Sequence, residues 1–275
     1  MRAFLAKWGI PLLLFLATTL NYLDRQTLSI LAPTIQKEMG LDNEALGWLF
    51  SVFYYAYTFS QFGIGLLLDR TNLRWTYGIG VLAWSASCAL TGLASGFWSL
   101  IGFRLLLGIT ESVNWPAALR VISRILEPRD RQLGNGIFTS GTSIGALIAP
   151  GMILGVSALL GWRWAFAAVG SLGAVWLGLW LFFTRSPRLA QVWDPGGERG
   201  AGAGYGAILS SRQFWRVFVV TILINPCLYF NVNWLPTYFV QQRGLQPGKQ
   251  LGWILTAIYV GLDLGYIASG TAASW

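Results

Sequence analysis

Two charged residues, Asp24 and Arg25, are neighbours inside an apolar stretch that is long enough to cross a membrane. The stretch runs from about Trp8 to Ile35, and at 1.5 Å of rise per helical residue the pair lies roughly 24 Å from its start. A charge at that depth costs at least about 2.5–3.5 kcal/mol, so it requires a partner, a water-filled cavity or a function. Because neighbours on a helix point in different directions, we expect Asp24 and Arg25 to have different partners.

A second group of polar residues lies in a later apolar segment, at Arg104, Gly108, Glu111 and Trp115. Intervals of four, three and four residues place them on one face of a helix. Arg104 and Glu111 are roughly 10.5 Å apart along the axis, so they can serve one cavity at different depths but do not form an i, i+4 pair. Arg104 fits a structural ion pair equally well, whereas the depth of Glu111 favours a functional carboxyl.

The elements that must position these residues are membrane helices. Of the 275 residues, 55% are hydrophobic and 11% are charged, which is typical of a polytopic membrane protein. The apolar segments of spanning length are at about 8–35, 45–68, 76–95, 97–119, 133–158, 164–183, 217–240 and 251–275. We therefore expect an all-α membrane protein with a six-helix bundle at 1–184, a Gly-rich cytoplasmic linker at 185–215 and two further helices at 216–275.

Small residues indicate where these helices pack closely. In the fifth segment, Gly141 and Gly145 form one small-xxx-small pair, and Gly151 and Gly155 form another. Such spacings are common in Gly-rich membrane helices, so they predict packing rather than function.

The net charge of +8 reflects membrane topology rather than nucleic-acid binding. If the N-terminus is cytoplasmic, thirteen of the 19 Lys and Arg residues lie on the cytoplasmic side and four on the opposite side. The positive-inside rule therefore predicts a cytoplasmic N-terminus. The expected surroundings are a lipid bilayer, with no nucleic acid as a partner.

An enzymatic role is not indicated. The chain contains no His, and its two Cys residues lie in separate apolar segments. It therefore offers neither a nucleophile–base pair nor a cluster of metal ligands, and we expect no cofactor and no metal. Any proton chemistry must depend on carboxylates.

The turn between the second and third segments reads GLLLDRTNLR and resembles the signature loop of the major facilitator superfamily, Gly-x-x-x-Asp-Arg-x-Gly-Arg-Arg. The residues that match the signature are Gly65, Asp69, Arg70 and Arg74. Asn72 and Leu73 replace the usual Gly and Arg. A short basic turn with one acid at a helix end can hold neighbouring helices together. We therefore expect the matching residues, together with Arg104, to have structural or gating roles, although an ordinary positive-inside loop would have a similar composition.

With NYLDR at 21–25, the chain resembles the anion:cation symporter branch of this superfamily, which includes hexuronate, galactonate and glucarate transporters. The other stretches that carry the resemblance are 131–150, 161–166, 212–215, 234–239 and 261–265. The resemblance covers about 21–269. It implies the fold of that superfamily, with a complete six-helix half and about two helices of the second half. Because alternating access needs both halves, we expect a truncated transporter that is inactive alone.

The resemblance implies a secondary active transporter of the inner membrane that carries a sugar-acid anion together with protons. Arg25 takes the role of the residue that meets the substrate carboxylate, to which its planar fork is suited. Asp24 and Glu111 inherit the role of proton carriers. Helical spacing also predicts that Asn21, Tyr22 and Arg25 share a face. The complete set of expected substrate contacts is Arg25, Tyr22, Asn21, Tyr57, Asn114 and Asn231.

Other functions stay open at this point. An organic-anion or sugar-phosphate exchanger of the same superfamily needs two arginines for a dianion, which Arg25 and Arg104 can supply. The acids Asp24 and Glu111 favour proton coupling instead. A non-transporting membrane fragment is a third interpretation. Asp263, in the last segment, fits either a proton site or a cap on a broken helix.

Overall fold

The described regular structure is entirely helical. A computed structural model covers residues 2–186, 189–194 and 209–273. The helices are α1 (Arg2–Met39), α2 (Asn43–Arg70), α3 (Leu73–Thr91), α4 (Phe97–Glu111), α5 (Asn114–Ile125), α6 (Pro128–Leu160), α7 (Trp162–Phe183), α8 (Ala190–Trp193), α9 (Arg212–Gln241) and α10 (Lys249–Ala273). The side chain of Asp263 lies outside the described residues.

The helix boundaries follow from local sequence signals. Asp42 caps α2, where its side chain accepts a hydrogen bond from the Ala45 N–H at 2.8 Å. Pro128 begins α6 at a position where no N–H donor is needed. Between α6 and α7, Gly161 adopts a φ of 89°, which glycine tolerates far better than other residues.

The fourth predicted segment is not one helix, and the expectation of a single span at 97–119 is wrong in this respect. The helix stops at Glu111 and resumes at Asn114. Pro116 explains the break, because it has no N–H to donate to the carbonyl of Ser112 and its ring clashes with that carbonyl in a regular helix. Glu111 is thereby placed at the C-terminal end of α4.

Within the described residues, length and composition alone identify α6, α7 and α9 as apolar enough to cross a membrane. The break leaves α4 and α5 with 15 and 12 residues, each shorter than a membrane span. In α1 the apolar run is interrupted by Asp24 and Arg25. The same features that make these segments chemically interesting therefore weaken their signal as membrane helices.

Helix α1 packs closely against α6 through glycine. A Cβ atom on Gly141 would lie 2.5 Å from the Phe15 carbonyl oxygen, and one on Gly145 would lie 2.7 Å from that of Thr19. A Cβ atom added at Gly151 or Gly155 would meet no atom of the described residues within 4 Å. The first small-xxx-small pair is thus a helix contact, whereas the second has no close neighbour in the part of the chain that the structure describes.

The α2–α3 turn joins several helices on one face of the bundle. Asp69 pairs with Arg120 at 2.7 Å, and the Arg74 side chain donates to Thr184 Oγ1 at 2.8 Å and to the Leu181 carbonyl at 3.0 Å. These bonds connect the turn to α5 and to the end of α7. The other two signature residues are Gly65 and Arg70. A Cβ atom added at Gly65 would meet no described atom within 4 Å, and Arg70 is exposed.

The predicted linker begins with a segment that packs against the bundle. Trp193, in α8, is only 2% exposed and its ring centre lies 5.5 Å from that of Trp180. Asp194 accepts a hydrogen bond from Asn72 at 3.0 Å, and its carbonyl accepts one from Arg124. The first part of the 185–215 segment is therefore docked on α3, α5 and α7.

Helices α9 and α10 contact the six-helix bundle at the end opposite to the α2–α3 turn. Ser29 donates to the carbonyls of Val232 and Asn233 at 2.8 Å. Nearer that end, Gln241 donates to Gln36 at 3.2 Å, and Asn43 donates to Gln241 at 3.3 Å. The first half of α9 is largely exposed, so the described contacts close only one end of the space between the two units.

Candidate functional site

A cavity of about 400 Å³ lies between the six-helix bundle and the α9–α10 pair. Its wall is formed by α1, α2, α4, α5 and α6 on one side and by α9 and α10 on the other. The polar residues that line it include Tyr22, Arg25, Gln26, Tyr54, Arg104 and Asn231. A volume of this size is in the range of sites for small organic ligands.

Arg25 is held at the cavity wall by an acid and by aromatic rings. Its Nε donates to Glu111 Oε2 at 2.6 Å, and the arginine side chain is 11% exposed while that of Glu111 is fully buried. The guanidinium carbon lies 4.5 Å from the centre of the Tyr57 ring and 5.2 Å from that of Phe53. Arg25 Nη2 has no hydrogen-bond partner among the described residues. Because Nη2 is buried, full use of the charged fork by an anion requires the ion pair with Glu111 to rearrange.

Asp24 lies on the other side of α1, away from the cavity. It is 1% exposed and faces the indole of Trp84 and the thiol of Cys88 on α3. Neither carboxylate oxygen has a partner at hydrogen-bonding geometry among the described residues. The neighbours Asp24 and Arg25 thus have different surroundings, as the spacing predicted.

Arg104 shares an aromatic ring with Arg25. Its guanidinium carbon lies 4.7 Å from the centre of the Phe53 ring, and its Nε donates to the Leu49 carbonyl at 3.5 Å. Arg104 is 2% exposed, and none of the described acids forms an ion pair with it. It therefore brings a second buried positive charge to the cavity wall.

Asn21 and Asn114, two of the residues expected to contact a substrate, do not line this cavity and are directed towards other helices. Asn21 is fully buried and faces Glu111. The cavity edge of α1 follows positions i, i+3 and i+4, at Tyr22, Arg25 and Gln26, which leaves Asn21 on the protein-facing side.

Asn114, the second of these residues, connects three helices instead. Its side-chain oxygen accepts from the Tyr77 hydroxyl at 2.8 Å, and its Nδ2 donates to Thr18 Oγ1 at 3.5 Å. It is fully buried. The restart of the chain after the α4–α5 break directs this side chain towards α1 and α3 rather than towards the cavity.

The other expected contacts lie at or near the cavity. Tyr22 and Asn231 line it, although Asn231 Nδ2 donates to the Cys227 carbonyl of its own helix at 2.8 Å. Tyr57 stands behind Arg25 as one of its ring neighbours. Each of these residues reaches the site from a different helix.

Several cavity residues were not anticipated from the sequence. Gln26 and Phe53 line the wall, and the Tyr54 hydroxyl accepts a hydrogen bond from Asn233 Nδ2 on α9 at 3.1 Å. The spacing of Phe53 and Tyr57 at i, i+4 was the available signal, since it places two rings on one helix face. Which helix that face would meet is not encoded in the spacing.

Comparisons with known proteins agree with this architecture. A model of the Major Facilitator Superfamily matches residues 14–274. The D-galactonate transporter of Escherichia coli O6:H1 is 27% identical over 282 residues, covering 95% of this chain and 65% of its own length. The hexuronate transporter of Escherichia coli K12 is 28% identical over 279 residues, covering 96% of this chain and 64% of its own length.

A solved structure has the same fold. A bacterial homologue of the human lysosomal transporter Spinster, in an inward-facing and unoccupied conformation, superimposes with a TM-score of 0.83 at 21% identity. The alignment covers 98% of this chain and 63% of that one. The chain thus spans less than two thirds of the length of these relatives. The family match over most of the chain identifies it as a multi-pass membrane protein that belongs to the Major Facilitator Superfamily.

Proposed function

We propose that this protein is a secondary active transporter that carries a sugar-acid anion together with protons by alternating access. The observation that carries the proposal is the ion pair between Arg25 and Glu111, with the arginine at the wall of a cavity between two helical units. An arginine fork binds a carboxylate well, and the acid already bound to it competes for the same donor.

This competition supplies a physical route to proton coupling. When Glu111 is ionised it accepts the Arg25 Nε hydrogen bond, so an incoming carboxylate must displace it. Protonation of Glu111 removes its charge and frees Arg25 for the substrate. Proton and anion therefore favour each other's binding, which is the thermodynamic requirement for symport.

Asp24 is proposed as a second proton site. It is next to Arg25 in the chain but faces Trp84 and Cys88, so its charge acts on the arginine through space without occupying the cavity. A buried carboxylate without hydrogen-bond partners is costly to keep ionised, and the arrival of an anion at Arg25 changes the local field again. The two acids would then take up protons together with the substrate.

The substrate class follows from the rest of the wall. Gln26, Thr142, Asn225 and Asn231 line the cavity. Thr142 and Asn231 already donate to carbonyls of their own helices, so their side-chain oxygens serve as acceptors, and the amides of Gln26 and Asn225 add donors that suit a polyhydroxylated chain. The relatives named above are D-galactonate and hexuronate transporters, and we infer a similar sugar acid for this protein. Its place would be the inner membrane, with the N-terminus in the cytoplasm.

A proton-independent exchanger is the second candidate. It is favoured by one observation, the placement of Arg104 and Arg25 around the same Phe53 ring at the cavity wall. Two guanidinium groups suit a dianion such as a sugar phosphate. Exchange of labelled for unlabelled sugar phosphate, independent of a pH gradient, would favour this candidate over symport.

The test is a binding measurement followed by transport. The purified chain in lipid nanodiscs should bind glucuronate, followed by calorimetry, more tightly at pH 5.5 than at pH 8. Arg25→Gln should abolish binding, and Arg25→Lys should weaken it because lysine lacks the planar fork.

Because the chain is expected not to transport alone, binding is the primary measurement. Uptake of labelled glucuronate into proteoliposomes, with and without an imposed inward proton gradient, is the second. Uptake or binding that is indifferent to pH would contradict the proposed proton coupling. Retained affinity in Arg25→Gln would contradict the assignment of the site.

A further inference from the structure

One aromatic residue of the cavity takes no part in the proposed competition between Glu111 and the substrate. Trp115 lines the same cavity as Arg25 and is partly buried against the hydrophobic core. It is the second residue of α5, directly after the break that ends α4. Its indole brings a large, flat apolar surface to a site whose charges suit an anion.

The other aromatic rings that line the cavity are engaged or covered. The rings that lie against an arginine or against each other are those of Tyr22, Phe53, Tyr54 and Tyr229. Tyr259 also lines the cavity, but it is only 5% exposed. The described ring neighbour of Trp115 is Phe138, which does not line the cavity. Among the aromatic residues of the described wall, Trp115 therefore offers its ring to a ligand.

Phe138 and Pro116 hold the indole in place. The ring centres of Trp115 and Phe138 lie 4.9 Å apart with an angle of 75° between their planes, and Phe138 is fully buried. Pro116 restricts the backbone of the residue before it. A rigid aromatic side chain loses little conformational entropy when a ligand binds to it. Trp115 is thus a preformed surface rather than one that a ligand must order.

Trp115 lies close to the ion pair but at a different depth. Glu111 accepts the Arg25 hydrogen bond at 2.6 Å, and Trp115 follows it by four residues, roughly 6 Å of helical rise. Since Arg25 and Trp115 line one cavity, a single small ligand can contact both. A carboxylate at Arg25 places the remainder of such a ligand beside the indole.

Side-chain oxygen atoms lie beside this surface on α6. Thr139 and Thr142 line the cavity one and four residues after Phe138. Thr142 Oγ1 already donates to the Thr139 carbonyl at 2.9 Å, so its oxygen can accept a hydrogen bond from a ligand hydroxyl. The wall around Trp115 therefore combines an apolar face with polar groups at its margin.

A sugar ring fits this combination. One face of a six-membered sugar ring presents C–H groups, which are attracted to the negative face of an aromatic ring, while the hydroxyls point outward. An open-chain sugar acid must fix its rotatable bonds to form a comparable face, at a cost in conformational entropy.

We propose that Trp115 is the platform for the sugar ring of the substrate and makes the site selective for cyclic hexuronates over open-chain sugar acids of the same charge. Trp115 can have this role only if Arg25 binds the carboxylate, so the assignment rests on the proposed function. It adds a specificity-determining residue and a preference for ring form that the ion pair alone does not supply.

The first experiment compares two acids that share a single carboxylate and the same number of carbon atoms. Calorimetry with the chain in lipid nanodiscs at pH 5.5 measures the Kd for glucuronate, which is cyclic, and for gluconate, which is open. The unmodified chain should bind glucuronate about tenfold more tightly. Equal affinity for the two acids would overturn the role of Trp115 and leave the proposed function intact, whereas failure to bind either acid would contradict both.

Variants of Trp115 test the platform itself. Trp115→Phe keeps a flat aromatic face and should retain most of the preference for glucuronate, whereas Trp115→Leu should remove the preference and leave the affinity for gluconate nearly unchanged. Trp98→Leu is the matched control, since Trp98 is 80% exposed on α4 and does not line the described cavity. A preference that survives in Trp115→Leu, or an equal loss in Trp98→Leu, would overturn the proposal.

A spectroscopic measurement follows Trp115 in the chain without a substitution. Incorporation of 5-fluorotryptophan gives each tryptophan a fluorine resonance, and the one that is missing in Trp115→Phe belongs to Trp115. Glucuronate should shift this resonance more than gluconate does, while the resonance assigned through Trp98→Leu stays in place. A Trp115 resonance that does not move when calorimetry shows glucuronate bound would overturn the proposal. Size-exclusion profiles identify a variant that fails to fold, and the comparison of the two acids still decides the question in that case.

Discussion

Replacement of Glu111 by glutamine gives the most direct test of the competition at Arg25. Glu111→Gln keeps the size of the side chain and a hydrogen-bond acceptor but removes the negative charge that the arginine Nε now contacts at 2.6 Å. Arg25 would then be free of an anionic competitor at every pH. We therefore expect the variant to bind a sugar-acid anion more tightly than the unmodified protein at high pH.

The size of the effect follows from the bond that the substrate must otherwise displace. A hydrogen bond to a charged group contributes about 1.5–3 kcal/mol, and each 1.4 kcal/mol is a tenfold change in affinity. At pH 8, where Glu111 competes most strongly in the proposed mechanism, the Kd for glucuronate should fall by about 10- to 100-fold. As the pH falls the two proteins should converge, since protonation neutralises the competing carboxyl of the parent and the variant has none.

The variant should also lose stability. Removing one partner of a buried ion pair typically costs about 3–5 kcal/mol. Arg25 retains the ring contacts with Tyr57 and Phe53, and glutamine still accepts a hydrogen bond, so we expect a loss below that range. Addition of the anion should restore part of it, because a carboxylate then pairs with the arginine.

The assay is isothermal titration of glucuronate into the chain in nanodiscs at several pH values between 5.5 and 8. Glu127→Gln serves as the control, since that acid is 67% exposed and pairs with Arg129 far from the cavity. A Glu111→Gln protein that binds more weakly at pH 8, or that keeps the pH dependence of the parent, would refute the competition between Glu111 and the substrate.

Three further predictions concern the scaffold. Hydrogen bonds from Arg163 and Trp162 lower the pKa of Glu38, which lies beyond the membrane-spanning part of α1, so Glu38→Gln should lower the thermal unfolding midpoint above about pH 5. That difference should shrink as the pH falls below about 4, because the carboxylate loses its advantage when it is protonated. Gly141→Leu should destabilise the protein by about 1–3 kcal/mol or more, since its Cβ would meet the Phe15 carbonyl, and thermal unfolding measures the loss. Asn114→Leu should leave the Kd for glucuronate nearly unchanged while it lowers the unfolding midpoint, because Asn114 joins helices and does not line the cavity.

The glycine prediction has a matched control in the chain, and the other two have outcomes that would contradict them. Gly136→Leu adds the same side chain to α6 at a position with nothing within 4 Å, and it should be tolerated. Equal destabilisation by the two glycine variants would contradict close α1–α6 packing as the cause. For Glu38, an unfolding difference that is the same at pH 4 and pH 7 would show that its charge is unimportant. A large loss of affinity in Asn114→Leu would return that residue to the binding site.

The fold was largely predictable because its signals are local. Long apolar runs define most helices, and Asp42, Pro128 and Gly161 mark helix ends by their intrinsic chemistry. The family match confirms the superfamily predicted from the signature loop and from NYLDR. The α4–α5 break was missed although Pro116 is visible in the sequence, because the apolar run continues across it and length was given more weight than the missing N–H donor.

The site was less predictable because its contacts depend on how helices are rotated against one another. The spacing within α1 correctly separates Asp24 from Arg25, but it does not reveal that Glu111, 86 residues away, supplies the partner of the arginine. The same limit applies to Asn21, which the spacing places on one face with Arg25 but which does not line this cavity. Rotation of α1 by roughly one residue relative to the cavity decides whether Asn21 lies at the wall or in the protein interior.

The position of Glu111 beside Arg25, at the end of α4, supports the proposed coupling. The helix is interrupted directly after Glu111 and resumes at Asn114. Glu111 is also fully buried, so the described environment offers Arg25 as its compensating cation at 2.6 Å. A substrate carboxylate that takes this arginine leaves the buried acid next to a second anion. Neutralisation of Glu111 by a proton removes that repulsion, which is the physical basis of the proposed coupling.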